Sequence, residues 1–462
     1  MKIDFTLRFF SFNWKVSIDR QLVQCGIIVS TLFLAVIVSY WGAMDISIAL
    51  LFMLGGIGGA LILIRQINLG FILLLLAGFH PYSGPGGLNA SAMMVALLLG
   101  LWFIDMLVVK RQFEFYGFRS LLPVAVFLAV SLIAFCMGQV SWFILANQAP
   151  LDAQAGGFTI FVLSAGLLLL VAHLVREIYW LKIITWTYVS IASIYVLGRA
   201  AQLTVIDQIY LYGFTAGSMF WVWLVALTLS QALFNTRLKK QIRVLLLAIV
   251  ALTFYVAIIQ AGDWKSGWLP PLAAVAVLLT FKFRRLLILV VPFALFAAYS
   301  LAIGAISAEE YSWGTRLDAW LIVLEISKQN PLFGLGFGNY YWYTPLFSIR
   351  GWFVQFNSHS QYIDLIAQVG YLGLLSYLWI FFEIGRSSLK LINRLPDGFA
   401  RSYSYAVFAG VVGSLVAGFL VDWILPFAYN IGFAGFRSSM LLWLFFGGMV
   451  SVEQIYLEKT KV

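Results

Sequence analysis

Hydrophobic residues in this chain fall in runs of membrane-spanning length, separated by short polar and basic clusters. The runs lie near 21–40, 45–64, 67–80, 89–109, 120–138, 157–174, 181–198, 215–234, 243–261, 267–281, 285–304, 361–384, 403–421 and 433–452. Lipid offers backbone polar groups no partner, so such runs must cross as helices. The third and tenth runs are short, and Pro270-Pro271 weakens the tenth. The pattern predicts an all-α integral membrane protein of about 14 transmembrane helices.

One long stretch breaks the pattern. Residues 305–360 include Tyr311, Trp313, Trp320, Tyr340, Tyr341, Trp342, Tyr343, Trp352, Phe353 and Phe356. A loop of that length in a compact protein is functional or disordered, and its aromatics argue for order. The expected organisation is a transmembrane bundle over 1–304, an extracytoplasmic loop domain over 305–360 and C-terminal transmembrane helices over 361–462.

Composition agrees with the pattern. At 62% hydrophobic and 10% charged residues, the chain is no ordinary soluble globule, since soluble domains carry about 25% charged residues. A net charge of +10 could suit a nucleic-acid partner, but its distribution is topological. With the N-terminus in the cytoplasm, all 29 basic residues except Arg199, Lys265, Arg316, Lys328, Arg350 and Arg437 lie on the cytoplasmic side. That is the positive-inside bias, and dropping either short span would destroy it. The C-terminus is then cytoplasmic too. Met1 to Arg20 lacks the apolar run and cleavage site of a signal peptide, so the first span is expected to remain as an anchor. Cys25 and Cys136 lie in apolar runs without paired spacing and read as packing residues.

The candidate chemistry is on the outer side. Thr315 to Asn330 reads as a helix, with Thr315 as N-cap and Asn330-Pro331 as stop. At about 100° per residue, Arg316, Trp320, Val323, Leu324 and Ser327 share one face, opposite Asp318, Glu325 and Gln329. Arg316 is thus on a face expected to pack onto the membrane domain, where a guanidinium needs an anion. Its partner is either a fixed carboxylate, Asp207 or Asp422, or a ligand phosphate suited to arginine's planar fork. Gly334-Leu335-Gly336-Phe337-Gly338-Asn339 lacks the ending of a P-loop and the spacing of a dinucleotide loop. A tight turn that permits close backbone approach fits it better.

His359, one of 3 histidines, follows Asn357 and Ser358, either of which can cap the helix beginning near 361. In that first turn the helix dipole disfavours protonation, and a neutral imidazole can serve as a general base. A capping histidine with a structural hydrogen bond is the plain alternative. Asp364 is about 140° further round and is not expected to orient His359 directly. Arg199 reads first as an interfacial residue. Arg437 needs a partner, Asp422 being the nearest in sequence, and Arg350 is a solvated loop charge unless the fold brings it inward. His80 and His173 read as structural. The loop aromatics exceed what an interfacial belt needs, and flat rings suit the apolar sides of sugars. No carboxylate cluster has metal-ligand spacing.

Three segments together carry a family resemblance: Trp313-Gly314-Thr315-Arg316-Leu317-Asp318-Ala319-Trp320, Asn330-Pro331-Leu332-Phe333-Gly334-Leu335-Gly336-Phe337-Gly338-Asn339-Tyr340, and Asn357-Ser358-His359-Ser360-Gln361-Tyr362 with Gly370-Tyr371-Leu372-Gly373. Across roughly 310–385 the chain resembles the O-antigen ligase and O-antigen polymerase family. The resemblance implies an inverting glycosyltransferase that uses undecaprenyl diphosphate-linked glycans at the outer face of the bacterial inner membrane. It implies that His359 activates the acceptor hydroxyl and that Arg316 binds diphosphate. Arg199 is the best match to the family's arginines at outer helix ends. Arg437, Asp422, Asn357 and Arg350 are supporting candidates.

The implied donor is already activated, so no cofactor, nucleotide or metal is expected. Expected partners are the lipid-linked donor, a glycan or lipid A core acceptor, membrane lipids and a chain-length regulator, with no nucleic acid. Polymerase, lipid A core ligase and protein O-glycan ligase all stay open. A transporter, for example of bicarbonate, is the alternative from another class. The spans are almost free of charge at their centres, with Asp105, Asp364 and Glu383 near ends, which weighs against it.

Overall fold

The computed structural model describes residues 66–80, 84, 87–111, 118–210, 212–261, 264–286, 288 and 311–457. Helices α1 (Leu69–Ala77), α2 (Ala90–Ile104), α3 (Phe118–Met137), α4 (Leu151–Leu174), α5 (Ile178–Ala200), α6 (Ser218–Phe234), α7 (Lys240–Phe254) and α8 (Lys265–Lys282) precede the long loop. The loop holds α9 (Tyr311–Ser327) and α10 (Asn339–Tyr343); α11 (Gln361–Ile392), α12 (Phe399–Leu420) and α13 (Gly432–Leu457) follow it. Among the described residues, 8 helices are long and apolar enough to cross a membrane. The chain is a multi-pass, all-α membrane protein. The expected spans 21–40 and 45–64, nearly all of 285–304, and Cys25 lie outside the described residues.

Two compact units divide the chain: residues 1–69 with 101–114, and residues 70–100 with 115–462. The described part of the first includes a π-helical turn over Asp105–Lys110. The described part of the long loop belongs to the second. There α13 packs along α4, α11 along α3, and α12 against α6, α8 and α11. α8 is a well-packed helix despite its two prolines. Pro270 has no N–H for the Ser266 carbonyl, and the Ser218 hydroxyl donates to that carbonyl at 2.8 Å instead. A Cβ on Gly413 would stand 2.9 Å from the Pro270 carbonyl oxygen, so α12 and α8 meet backbone to backbone.

Several boundaries differ from expectation. α4 starts at Leu151, six residues before the expected 157, directly after Pro150. Gly157 does not end that helix; it leaves room for the Phe337 side chain, 3.1 Å from where a Cβ would lie. α9 starts at Tyr311, so Thr315 is inside the helix and not its cap. Gly314 does not break it either, because the Arg350 guanidinium occupies the space a side chain would need. Its buried stripe is Ala319, Val323, Ile326 and Ser327. Cys136 is exposed on α3 beside exposed Leu132 and Ile133, on an outward face and not in the packed interior.

α11 is discontinuous. Gly370 has φ 70° and ψ −176°, a conformation only glycine adopts readily. The carbonyls of Ala367 and Gln368 accept from the N–H groups of Leu335 at 2.8 Å and Gly336 at 3.1 Å. Beyond the break, Tyr371 and Leu372 donate to the carbonyls of Pro331 at 2.8 Å and Leu332 at 3.2 Å. The glycine-rich segment is therefore spliced into the helix. Broken helices often expose backbone to transported ions, whereas here the loop takes up those groups.

Candidate functional site

Asn339, Asp364 and the loop aromatics build the floor of the site. Asn339 is fully buried and joins three segments: its Nδ2 donates to Leu335 O at 2.7 Å and Gly138 O at 2.9 Å, and its Oδ1 accepts from Ala149 N at 2.8 Å. Val323, Ile326, Leu335, Tyr340 and Tyr343 of the loop form one buried cluster with Ala367 and Phe427. The Tyr340 and Phe427 rings stack within it, with centroids 5.0 Å apart. This apolar floor fixes α9 and α10 over the N-terminal end of α11.

Above it opens a cavity of about 610 Å³. α9 contributes Thr315, Arg316 and Ala319, and the segment entering α11 contributes Asn357 and His359. Tyr341, Tyr429 and Asn430 complete the aromatic and amide side. Asn357 and His359 face the cavity while Ser358 between them is fully buried.

Ser358 is the anchor of that segment. Its backbone N–H donates to the Tyr340 hydroxyl at 3.3 Å, and its carbonyl accepts from the Trp320 indole at 2.7 Å. Its side-chain oxygen is 2.8 Å from Asp364 Oδ1 and accepts from Ser360 N–H at 3.1 Å. Tyr340 donates its own hydroxyl to the same Asp364 oxygen. His359, so held, has φ 50°, uncommon for a residue with a side chain. Ser360 is the N-cap residue of α11, which places His359 just before the helix and not in its first turn.

The imidazole is open to the cavity, and neither ring nitrogen has a hydrogen-bond partner among the described residues. Burial by the cavity walls, and then the Arg316 charge, lower its pKa to about 4. The expectation of a neutral imidazole stands, but on these causes and not on the helix dipole. Asp364 does orient His359, indirectly through Ser358 and Tyr340. No local pattern in the sequence reports this link, since Asn357, Ser358 and His359 are three consecutive polar residues and Tyr340 is remote from them in sequence.

Arg316 Nη1 donates to the Leu420 carbonyl at 2.9 Å. Burial lowers its pKa, and the negative charge of Asp422 works in the opposite direction. Of the two fixed carboxylates considered, Asp422 is therefore the one acting on Arg316. Asp422 is fully buried; burial raises its pKa to about 6 against hydrogen bonds from Asn430 and Asn357 and the charge of Arg316.

The remaining candidates are elsewhere. Arg199 pairs with Asp207 at 2.7 Å, outside the cavity lining. Arg350 pairs with Asp318 at 2.8 Å along α9 and does not line the cavity. Arg437 is buried in α13 and donates to the His80 carbonyl at 3.4 Å. His173 Nδ1 is bonded to Leu169 O at 2.7 Å, a structural role. No model of a known protein family matches the chain, and no curated protein matches it.

Proposed function

We propose that this protein is an inverting glycosyltransferase that moves a glycan from undecaprenyl diphosphate to an acceptor hydroxyl at the outer face of the bacterial inner membrane. The observation that carries this reading is the meeting of Arg316 and His359 in the lining of one cavity, beside aromatic and amide side chains. A guanidinium suits a diphosphate leaving group, and a neutral imidazole with unengaged nitrogens suits proton removal. In this reading the acceptor oxygen forms a bond to the anomeric carbon as the bond to diphosphate breaks. His359 takes the hydroxyl proton, and Arg316 stabilises the departing charge.

Donor binding also strengthens the base. A diphosphate beside Arg316 offsets the positive charge that holds the His359 pKa down. Arg199 takes a second diphosphate contact only if the donor displaces Asp207 from it. The accompanying topology has fourteen spans, both termini in the cytoplasm and the cavity facing outward. The acceptor is the growing end of another lipid-linked glycan or a lipid A core. Purified protein given an undecaprenyl diphosphate oligosaccharide and each acceptor separately tests this. Products longer by whole repeats identify a polymerase and labelled lipid A core a ligase. No transfer to either, with ion flux into protein-containing vesicles, supports the transporter reading.

A further inference from the structure

Behind the cavity wall, two asparagines converge on one carboxylate. Asn430 Nδ2 donates to Asp422 Oδ1 at 2.7 Å, and Asn357 Nδ2 donates to Asp422 Oδ2 at 3.2 Å. An ionised carboxylate only accepts hydrogen bonds, so both amides must turn their NH2 groups toward it. Their carbonyl oxygens then have no hydrogen-bond partner among the described residues, and both asparagines line the cavity. Next to them Tyr341 and Tyr429 stack with centroids 4.6 Å apart and planes 9° from parallel. The Trp342 indole donates to the Tyr429 hydroxyl at 2.7 Å and fixes that ring.

We infer that this side of the cavity is a carbohydrate subsite, and that Asp422 is the positioning residue that makes it one by turning two amide oxygens outward to accept sugar hydroxyls. The aromatic pair takes the apolar surface of the same ring. Acceptor oxygens and a buried carboxylate repel phosphate, so the anionic part of a ligand goes to Arg316 and the neutral sugar to Asn357 and Asn430. The two halves of the cavity thus read two halves of one glycosyl diphosphate. The assignment rests on the proposed glycan chemistry, but the sugar half is testable without it.

The full chain in lipid nanodiscs is given two probes: an array of neutral bacterial-type oligosaccharides immobilised through their reducing ends, and inorganic pyrophosphate by calorimetry. Asp422→Asn can donate as well as accept, so it frees the asparagines to flip. It is expected to weaken oligosaccharide binding by about tenfold, while pyrophosphate binding is kept or strengthened because a negative charge near Arg316 is gone. Asn430→Ala is expected to lose oligosaccharide binding to a similar degree, and Asp422→Glu to regain part of it. Unchanged oligosaccharide binding in both Asp422→Asn and Asn430→Ala overturns the inference. So does joint loss of both probes in Asp422→Asn, as a merely structural role requires, or an array without any bound sugar. Arg316-dependent pyrophosphate binding with an empty array leaves the anion site standing; sugar binding without pyrophosphate binding counts instead against the diphosphate donor.

Discussion

The Ser358 hydroxyl is 2.8 Å from Asp364 Oδ1, and this buried contact sets the backbone on which His359 is carried. Asp364 touches neither the imidazole nor the cavity lining, yet it holds both Ser358 and Tyr340. Asp364→Ala and Ser358→Ala are therefore expected to lower turnover by about tenfold to a hundredfold, the cost of misplacing a reacting group by an ångström or less. Donor binding should change little. Steady-state kinetics separate the two, and a loss confined to donor affinity would contradict the role.

His359 has a positive φ, which costs an L-residue about 1 kcal/mol relative to glycine. His359→Gly and His359→Ala both remove the imidazole, and both should be inactive. The glycine variant should be the more stable by that amount, seen as a higher unfolding temperature in detergent. Equal stabilities would show that the loop relaxes out of the left-handed conformation.

Burial and Arg316 together hold the His359 pKa at about 4, against an ordinary value of 6.5. Arg316→Gln removes the second cause and leaves the first, so the pKa should rise without reaching 6.5. Histidine NMR titration reads this directly. The stability consequence has a definite sign. Between about pH 6.5 and pH 4 the unfolded chain binds the proton that the folded one refuses, so this contribution is present above pH 6.5 and is lost as pH falls toward 4. The losing window should narrow in Arg316→Gln.

Gly336 and Gly351 both have positive φ, 89° and 85°, but differ in surroundings. A Cβ on Gly336 would run into the Gly138 backbone, whereas one on Gly351 meets nothing within 4 Å. Gly351→Ala should cost about 1 kcal/mol, the conformational part alone. Gly336→Ala adds a steric clash against the end of α3 and should cost at least twice that, about 2 kcal/mol or more. Parallel thermal unfolding of the two variants checks the difference.

Much of the helical layout was legible because apolar runs in a membrane protein have few other ways to satisfy their backbone. The break at Gly370 was not: the apolar pattern continues through Tyr371 and Leu372, and the groups that fill the break come from Pro331, Leu332, Leu335 and Gly336. The start of α9 differs because Thr315 has the chemistry of an N-cap, whereas the helix begins at Tyr311 and runs through it. Arg316 and His359 stood out because the charge pattern predicts the same side for both, and the fold brings them into one cavity lining. Asp422 read as a possible charge partner of Arg316 or Arg437, and not as a residue that orients asparagines. Its meaning depends on Asn357, 65 residues away in sequence, and no local pattern reports such a contact.

The most direct measurement is single-turnover release of undecaprenyl diphosphate from a labelled undecaprenyl diphosphate oligosaccharide, in the presence of acceptor, by the wild-type chain and by His359→Ala and Arg316→Ala variants that insert and fold normally. Wild type should release lipid diphosphate in step with glycan transfer. His359→Ala should bind donor but release it at least about a hundredfold more slowly, and Arg316→Ala should lose both donor affinity and release. Full release by both variants would contradict the assignment of this cavity as the place where the glycosyl bond is broken.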